Sequence, residues 1–198
     1  WQKYCYTKDI NWLKDDAYKY IKGAAELYRN YSGFIQEEDG YFHFNRTNLH
    51  EHIWGGRDII DDLSLARGVF EVAVKASEIL NVDEDLRKEW QYCLDNIAPY
   101  PLSTEPDAIS HLGTGAQAKK TLALGRTPSN TIRGFAPETP QFKMLEKFDV
   151  MNMETRDQEL DDGLWDLLLD TYYETPGYKQ QVLGNYNDRN GSSRFLEN

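Results

Sequence analysis

Apolar side chains recur at every third or fourth position in three stretches of the chain. The stretches run from Asp9 to Tyr31, from Leu63 to Leu80 and from Asp83 to Ile97. This spacing places the apolar residues on one face of a helix, so the pattern predicts three amphipathic helices. Asp9 and Asp58 precede the first two and are candidate helix caps. Because the connection between the second and third helices is short, we expect these two to lie antiparallel and side by side.

Two short aromatic segments lie between the first two predicted helices. Phe34-Ile35-Gln36 precedes a turn at Asp39-Gly40, and Tyr41-Phe42-His43-Phe44 follows it. Such segments around an Asp-Gly turn are typical of a β-hairpin. The next stretch, from Asn45 to Arg57, is polar and aperiodic, so we expect it to be irregular.

The second half of the chain is less periodic. Residues 102–140 are rich in Ser, Thr, Gly and Pro and are expected to form a long irregular insertion or connection. Helical spacing returns briefly around Phe142 to Phe148 and again from Glu154 to Tyr173. The sequence therefore predicts a mainly α fold of antiparallel helix pairs with one small β-hairpin and long irregular loops.

The net charge of the chain limits the classes of partner that it can bind. The 198 residues include 33 acidic and 22 basic side chains, which gives a net charge of −11 at pH 7. A surface this acidic disfavours binding to nucleic acid or to anionic membranes, because both need positive charge. No apolar run approaches the roughly 20 residues needed to cross a bilayer. We therefore expect no nucleic-acid partner and no membrane insertion.

The chain is rich in Trp and Tyr and poor in Cys. Five Trp and thirteen Tyr provide more amphipathic ring surface than a core of this size requires, which suits carbohydrate faces and ligand clefts. Cys5 and Cys93 are too few for a disulfide framework, and Cys93 falls on the apolar side of a predicted helix. We expect both cysteines to be free structural residues.

One polar segment concentrates chemistry-bearing side chains. It runs from His50 to Asp58 and combines a carboxyl, two imidazoles, an indole and a guanidinium. Aromatic surroundings disfavour the ionised form of a carboxyl, so Glu51 is a candidate general acid. The alternative is an exposed polar loop with a simple glycine turn. His50 and His52 would face the same side of an extended strand, but two ligands without a third give no metal site.

A second polar segment, Asn187 to Ser192, precedes a predicted helix. Asp188, flanked by Asn and Ser donors, would stay ionised and is a candidate general base, although a turn with a helix cap explains the same residues. The adjacent pairs Asp61-Asp62 and Asp161-Asp162 are expected to be solvated helix surface. Ser110-His111 with Asp107 lacks the nucleophile elbow of a hydrolase triad.

Several segments resemble one family in the same order along the chain. Tyr4 to Asp9 leads through Trp12-Leu13 into the first helix, Ala76 to Asp83 closes the second, and Asn96-Ile97-Ala98-Pro99-Tyr100 follows the third. This order resembles the inverting α-L-fucosidases and α-L-galactosidases of glycoside hydrolase family 95, nearly continuously from Trp1 to Pro101. The resemblance implies an (α/α)6 barrel, an oligosaccharide or polysaccharide substrate, no cofactor, no metal, and a bacterial protein that is periplasmic or secreted.

The resemblance also assigns roles to individual residues. Glu51 falls at the family's general acid, and Asp188 with Asn190 resembles the Asp-x-Asn loop that supplies the general base. His50, His52, Trp54 and Arg57 would line the sugar subsite. The chain departs from the family at three positions around the acid, where Leu49-His50 replaces Ser-Pro and His52 replaces Asn.

The size of the chain fits only part of such a domain. An (α/α)6 barrel needs about twelve helices averaging about 11–12 residues each, and the pattern predicts roughly half of them. We therefore expect residues 1–198 to be a single partial catalytic domain, of unknown oligomeric state. Two other functions stay open, namely a non-catalytic carbohydrate-binding or structural helical domain and an (α/α)-toroid polysaccharide lyase. The lyase is less consistent with an acidic chain, since a lyase for acidic glycans favours a basic cleft.

Overall fold

Helices provide most of the regular structure in the part of the chain that the computed structural model describes, residues 1–49, 53–103, 121–123, 125–126 and 131–132. The helices are α1 (Gln2–Thr7), α2 (Ile10–Trp12), α3 (Tyr18–Arg29), α4 (Ile60–Leu80) and α5 (Glu84–Asp95), with a π-helical segment at Leu13–Ala17. The strands are β1 (Phe34–Gln36), β2 (Phe42–Leu49), β3 (Ile53–Arg57), β4 (Leu102–Ser103), β5 (Thr121–Leu122), β6 (Gly125–Arg126) and β7 (Thr131–Ile132).

The first predicted helix is confirmed, with one local change in its geometry. Asp9 caps it as expected, because its carboxylate accepts the backbone N–H of Trp12 at 2.9 Å. The helical path then continues from α2 through the π-helical segment into α3, and the apolar residues Leu13 and Ala25 on it are fully buried. Helix α1, which precedes Asp9, was not predicted because it is only six residues long and buries none of them.

The predicted hairpin is confirmed, but the sheet is larger than expected. β1 pairs antiparallel with β2, with Phe34 opposite Phe44. The stretch from Asn45 to Arg57 is not wholly irregular as predicted, since β2 continues to Leu49 and β3 begins at Ile53. Two register shifts between β2 and β3 explain why the sequence shows no strict alternation. The strand order in this sheet is β1-β2-β3-β6-β7.

Helices α4 and α5 confirm the second and third predicted helices. Asn81 ends α4 in the left-handed conformation, with its backbone N–H bonded to carbonyls of the last turn. The connection to α5 is short, and α4 packs against both α3 and α5. The free cysteine on α5, Cys93, is buried, and the free thiol of Cys5 is exposed, so the expectation of two unpaired cysteines is confirmed.

The main core lies between the sheet and helices α3, α4 and α5. Its largest fully buried side chains are Phe44 of β2, Phe70 of α4 and Trp90 of α5. Phe34 stacks on Phe42 with ring centroids 4.8 Å apart, which extends the aromatic layer along the hairpin. A smaller cluster joins the start of the chain to Ala76 of α4. The β1–β2 hairpin is thereby fixed to the helices on one face.

The later predictions are covered only in part. Within residues 102–140 the described pieces are short strands, with β4 paired to β5 and β6 paired to β7. The predicted helical segments at 142–148 and 154–173 and the polar segment at 187–192 lie outside the described residues, as do Asp107, Ser110 and His111. The domain boundaries therefore stay a prediction. In the described part, no helix is both long enough and apolar enough to span a membrane.

Candidate functional site

Two of the seven predicted site residues lie in the described structure. Trp54 and Arg57 are both on β3. The remaining five are outside the described residues: His50, Glu51, His52, Asp188 and Asn190. The contacts around β3 therefore define the described part of the predicted site.

The ends of β2 and β3 are held together on either side of the candidate acid's position in the sequence. Leu49 and Ile53 are partners in the antiparallel ladder. Gly55 has a φ of +67°, a conformation that glycine adopts without strain, and its N–H donates to the Asn48 side-chain carbonyl at 2.8 Å. This bond replaces a regular ladder contact at one of the register shifts.

Trp54 presents its side chain largely to solvent, with 72% of its surface exposed. An indole combines a flat apolar ring with an N–H donor, a combination that suits contact with a ligand. Indole faces stack against the C–H faces of sugars and other flat apolar surfaces. The position of Trp54 is consistent with the predicted role in sugar binding.

Arg57 is fixed by two carboxylates. Its Nε donates to Asp58 Oδ2 at 3.3 Å and its Nη2 donates to Glu37 Oε2 at 3.0 Å. Glu37 is itself held by the Asn45 amide, which donates to Oε1 at 3.1 Å. That hydrogen bond, followed by the charge of Arg57, lowers the pKa of Glu37, so Glu37 is ionised at neutral pH. The Arg57 side chain is 33% exposed.

Asp58 does not cap the second helix as predicted. The N-cap position is Ile59, and the Asp58 backbone has a φ of +50°, in the left-handed region. The side chain is 1% exposed and points back to the sheet, where Oδ1 accepts the Phe44 N–H at 3.1 Å. The prediction was wrong because a buried partner, the His43 ring, competes for this carboxylate.

His43 is the functional-site candidate that the sequence analysis missed. Its ring is buried in β2, with Nδ1 2.9 Å from Asp58 Oδ2 and Nε2 3.0 Å from Asp39 Oδ2. A single polar residue inside an aromatic strand, with an acid four residues before it, was the available signal. The sequence could not show that Asp58 would close the other side, since that contact depends on how β3 turns into α4.

A second, partly buried carboxyl lies beside β2. Asp62 is in the first turn of α4, and burial raises its pKa to about 6. Asp62 Oδ2 and Thr47 Oγ1 are shielded from solvent without a hydrogen-bond partner among the described residues. The prediction that Asp62 is solvated helix surface is therefore wrong, because β2 covers this turn of α4.

The charged groups around β3 suit recognition of a polyhydroxylated ligand. Arg57 has donors left over after its two carboxylate bonds, and Glu37 is a partly exposed acceptor nearby. Hydroxyl groups can both donate to carboxylates and accept from a guanidinium. Among the described residues, no group of three or more His, Cys, Asp or Glu side chains is placed to hold a metal ion.

The comparison with protein families decides which family this arrangement belongs to. A family model for the glycosyl hydrolase family 95 catalytic domain matches residues 1–108, more than half of the chain. The chain belongs to glycosyl hydrolase family 95. The resemblance inferred from the first hundred residues is thereby confirmed. A search of curated proteins found no match.

Membership of family 95 establishes the chemistry at a general level. The chain carries part of a glycoside hydrolase catalytic domain, a type of domain that acts on glycans. The matched residues include the candidate acid and both described site residues, Trp54 and Arg57. Asp188 lies beyond the matched segment, so its assignment rests on the local Asp-x-Asn pattern alone.

Proposed function

We propose that the chain provides part of the active site of an inverting glycoside hydrolase that removes a terminal fucose- or galactose-like sugar from a glycan. In this proposal Glu51 is the general acid and Asp188 is the general base. The observation that carries the proposal is the family 95 match over residues 1–108, which includes the position of Glu51.

The chemistry requires two carboxyl groups in opposite states. An inverting enzyme protonates the leaving oxygen with one carboxylic acid and activates a water with one carboxylate, across a gap of roughly 6.5–9.5 Å. Glu51 lies in sequence between the paired strand residues Leu49 and Ile53. Asp188, between Asn and Arg in the sequence, is the proposed partner.

Sugar recognition is assigned to side chains on and around β3. The exposed indole of Trp54 is the proposed stacking platform, and the free N–H groups of Arg57 are the proposed donors to sugar hydroxyls. His50, His52 and Asn190 complete the proposed subsite. All of these contacts are neutral or cationic, which suits an uncharged sugar held near two catalytic carboxyls.

The architecture proposed for the whole domain is an (α/α)6 barrel, of which residues 1–198 form a part. The packing of α4 against α3 and against α5 supports it, because consecutive helices in such a barrel pack side by side. A periplasmic or secreted location is proposed with it, from the resemblance to the fucosidases and galactosidases.

The test is sugar release from aryl α-L-fucosides and α-L-galactosides by the full chain. Glu51→Gln and Asp188→Asn should each lower kcat by about 100-fold or more, since general acid and base catalysis contributes at least that much. Asp85→Asn, at a fully exposed carboxylate of α5, is the matched control and should leave kcat unchanged. Proton NMR of the first product should show the inverted anomer. Full activity in Asp188→Asn would reject the base assignment.

A non-catalytic carbohydrate-binding function is the second candidate, favoured by the exposure of Trp54. Glycan binding by the full chain without sugar release, and with equal affinity in Glu51→Gln, would establish it. An unsaturated product that absorbs in the ultraviolet would instead establish the lyase.

A further inference from the structure

His43 is a buried polar side chain with carboxylates on both sides. Its ring is 3% exposed, and each ring nitrogen is within 3.0 Å of a carboxylate oxygen, from Asp58 on one side and Asp39 on the other. Burying an imidazole between aromatic residues is unfavourable unless both nitrogens are hydrogen bonded. The two sides differ, because Asp58 is buried and the Asp39 side chain is half exposed.

The Asp58 carboxylate connects His43 to Arg57. Its Oδ2 is 2.9 Å from His43 Nδ1 and 3.3 Å from Arg57 Nε, so one oxygen serves both residues. Its Oδ1 accepts the Phe44 N–H, and the Asp58 N–H donates to the Phe44 carbonyl at 2.8 Å. These bonds hold a residue whose φ of +50° is unfavourable for most side chains. These contacts hold the Asp58 carboxylate in one orientation. Phe44 holds Oδ1, and His43 holds Oδ2.

Arg57 is held along one edge only. Asp58 binds Nε and Glu37 binds Nη2, which occupies two of the five guanidinium N–H donors. The described residues supply no further partner, and a third of the side chain is exposed. An arginine fixed in this way offers its remaining donors in a preset geometry, so less rotamer freedom is lost when a ligand binds.

We propose that His43 is a positioning residue for Arg57 and that it acts through Asp58 to fix the guanidinium that binds the glycan. The assignment of Arg57 to glycan binding rests on the proposed function, whereas the link from His43 to Arg57 rests on the contacts above. His43 itself does not touch the substrate in this proposal. Its removal changes substrate binding and leaves the chemical step alone.

Two substitutions of His43 separate positioning from simple loss of packing. His43→Leu introduces an apolar side chain of similar size and removes the hydrogen bonds to Asp58 and Asp39. His43→Asn keeps a donor close to the position of Nδ1, so it still reaches Asp58 and loses only Asp39. We expect His43→Leu to raise KM about five- to tenfold with kcat within about twofold, because only the order of the binding group changes. His43→Asn should restore most of the wild-type KM.

Asp39→Asn is the matched control. It weakens the hydrogen bond at the other ring nitrogen, which does not lead to Arg57, so KM should stay unchanged. A double-mutant cycle adds a second control. Arg57→Lys keeps the charge but lacks the planar fork, and adding His43→Leu to it should raise KM no further. Additive effects of the two substitutions would overturn the proposal.

A readout independent of any glycan tests the link directly. The Nε–H of Arg57 should give a distinct NMR signal that exchanges slowly in the wild type and in His43→Asn and that is lost in His43→Leu. If His43→Leu does not fold, Asp58→Asn tests the same connection and should lose the same signal. Retention of the signal in every folded variant would overturn the proposal. The expected signals without glycan hydrolysis or binding by the wild type would reject the proposed function and leave the link established.

Discussion

The indole N–H of Trp90 donates to Oε1 of Glu26 over 2.8 Å, which ties helix α5 to helix α3 inside the core. Glu26 also accepts two hydrogen bonds from Arg29, at 2.9 and 2.7 Å. The carboxylate thus supplies the acceptor that the N–H of the buried Trp90 ring needs, and the positive charge of Arg29 balances the negative charge of Glu26. Arg29 reaches on to Glu89, so the same network returns to α5.

We predict that Glu26→Gln destabilises the fold in a pH-dependent manner. Hydrogen bonding to Arg29 is the main reason that the pKa of Glu26 falls from 4.5 to about 2. The stabilisation is fully present above pH 4.5 and is lost as the pH falls towards 2, because the unfolded state takes up the proton first. The substitution should cost about 1–2 kcal/mol at pH 7 after allowance for solvent screening. The cost should shrink below pH 4.5.

Urea unfolding of Glu26→Gln between pH 2.5 and pH 7 measures this difference. Glu89→Gln is the control, since it removes a single, more exposed partner of Arg29 and should cost well under half as much. A cost that is the same at all pH values would show that the charge of Glu26 is not responsible.

Asp62 should have the opposite pH dependence. Burial raises its pKa from 3.8 to about 6, so the folded state holds its proton more tightly and stability falls as the pH rises from about 4 to about 6. Asp62→Asn removes this cost and should stabilise the protein by about 1–2 kcal/mol at pH 7.5, with little effect at pH 4. Asp85→Asn, at a fully exposed first-turn acid of α5, is the control for the helix dipole. Destabilisation by Asp62→Asn at pH 7.5 would contradict the prediction.

Gly33 and Gly23 should respond oppositely to alanine. A Cβ on Gly33 would meet the Asn45 carbonyl oxygen and the Tyr31 ring at impossibly short range, whereas one on Gly23 of α3 would meet nothing within 4 Å. We expect Gly33→Ala to lower the unfolding free energy by about 1–3 kcal/mol, because backbone cannot move aside cheaply. Gly23→Ala should raise it by about 0.5–1 kcal/mol through helix propensity. Thermal unfolding of the pair gives both signs in one experiment.

The two cysteines should differ in reactivity. Burial is the main reason that the pKa of Cys93 rises to about 11, and the thiolate is the reactive form, while Cys5 is exposed. A thiol reagent such as 5,5′-dithiobis(2-nitrobenzoate) should modify one cysteine rapidly in the native protein and both in urea. Cys5→Ser should abolish the rapid phase. Rapid labelling that persists in Cys5→Ser would show that α5 opens on that timescale.

Trp54 should contribute more to glycan affinity than an equally exposed aromatic residue elsewhere on the surface. Trp54→Ala should weaken binding about five- to tenfold, as expected for loss of one stacking platform. Tyr20→Ala on α3 is the matched control, because Tyr20 has the same exposed fraction, 72%. Titration calorimetry with the released sugar or an inert substrate analogue measures both. An equal effect of the two substitutions would contradict a specific site on β3.

Local patterns were sufficient where one residue and its chain neighbours decide the structure. The apolar spacing from Leu63 to Leu80, the cap at Asp9 and the turn at Asp39-Gly40 are all short-range features, and each prediction was confirmed. The family was also available from the sequence, because its motifs are contiguous segments in a fixed order. The strands β2 and β3 were not predicted beyond Phe44, since register shifts removed the alternation on which the prediction depends.

The sequence by itself determined three amphipathic helices, an aromatic hairpin, an acidic surface and membership of a glycoside hydrolase family. Only the tertiary structure decided the partners of individual charges. Asp58 turns from the expected cap towards His43, and Asp62 becomes a carboxyl with a raised pKa because β2 covers it. The reason is physical: helix periodicity depends on residues three or four apart, whereas hydrogen bonding and desolvation of a side chain depend on residues that the fold brings together from distant positions.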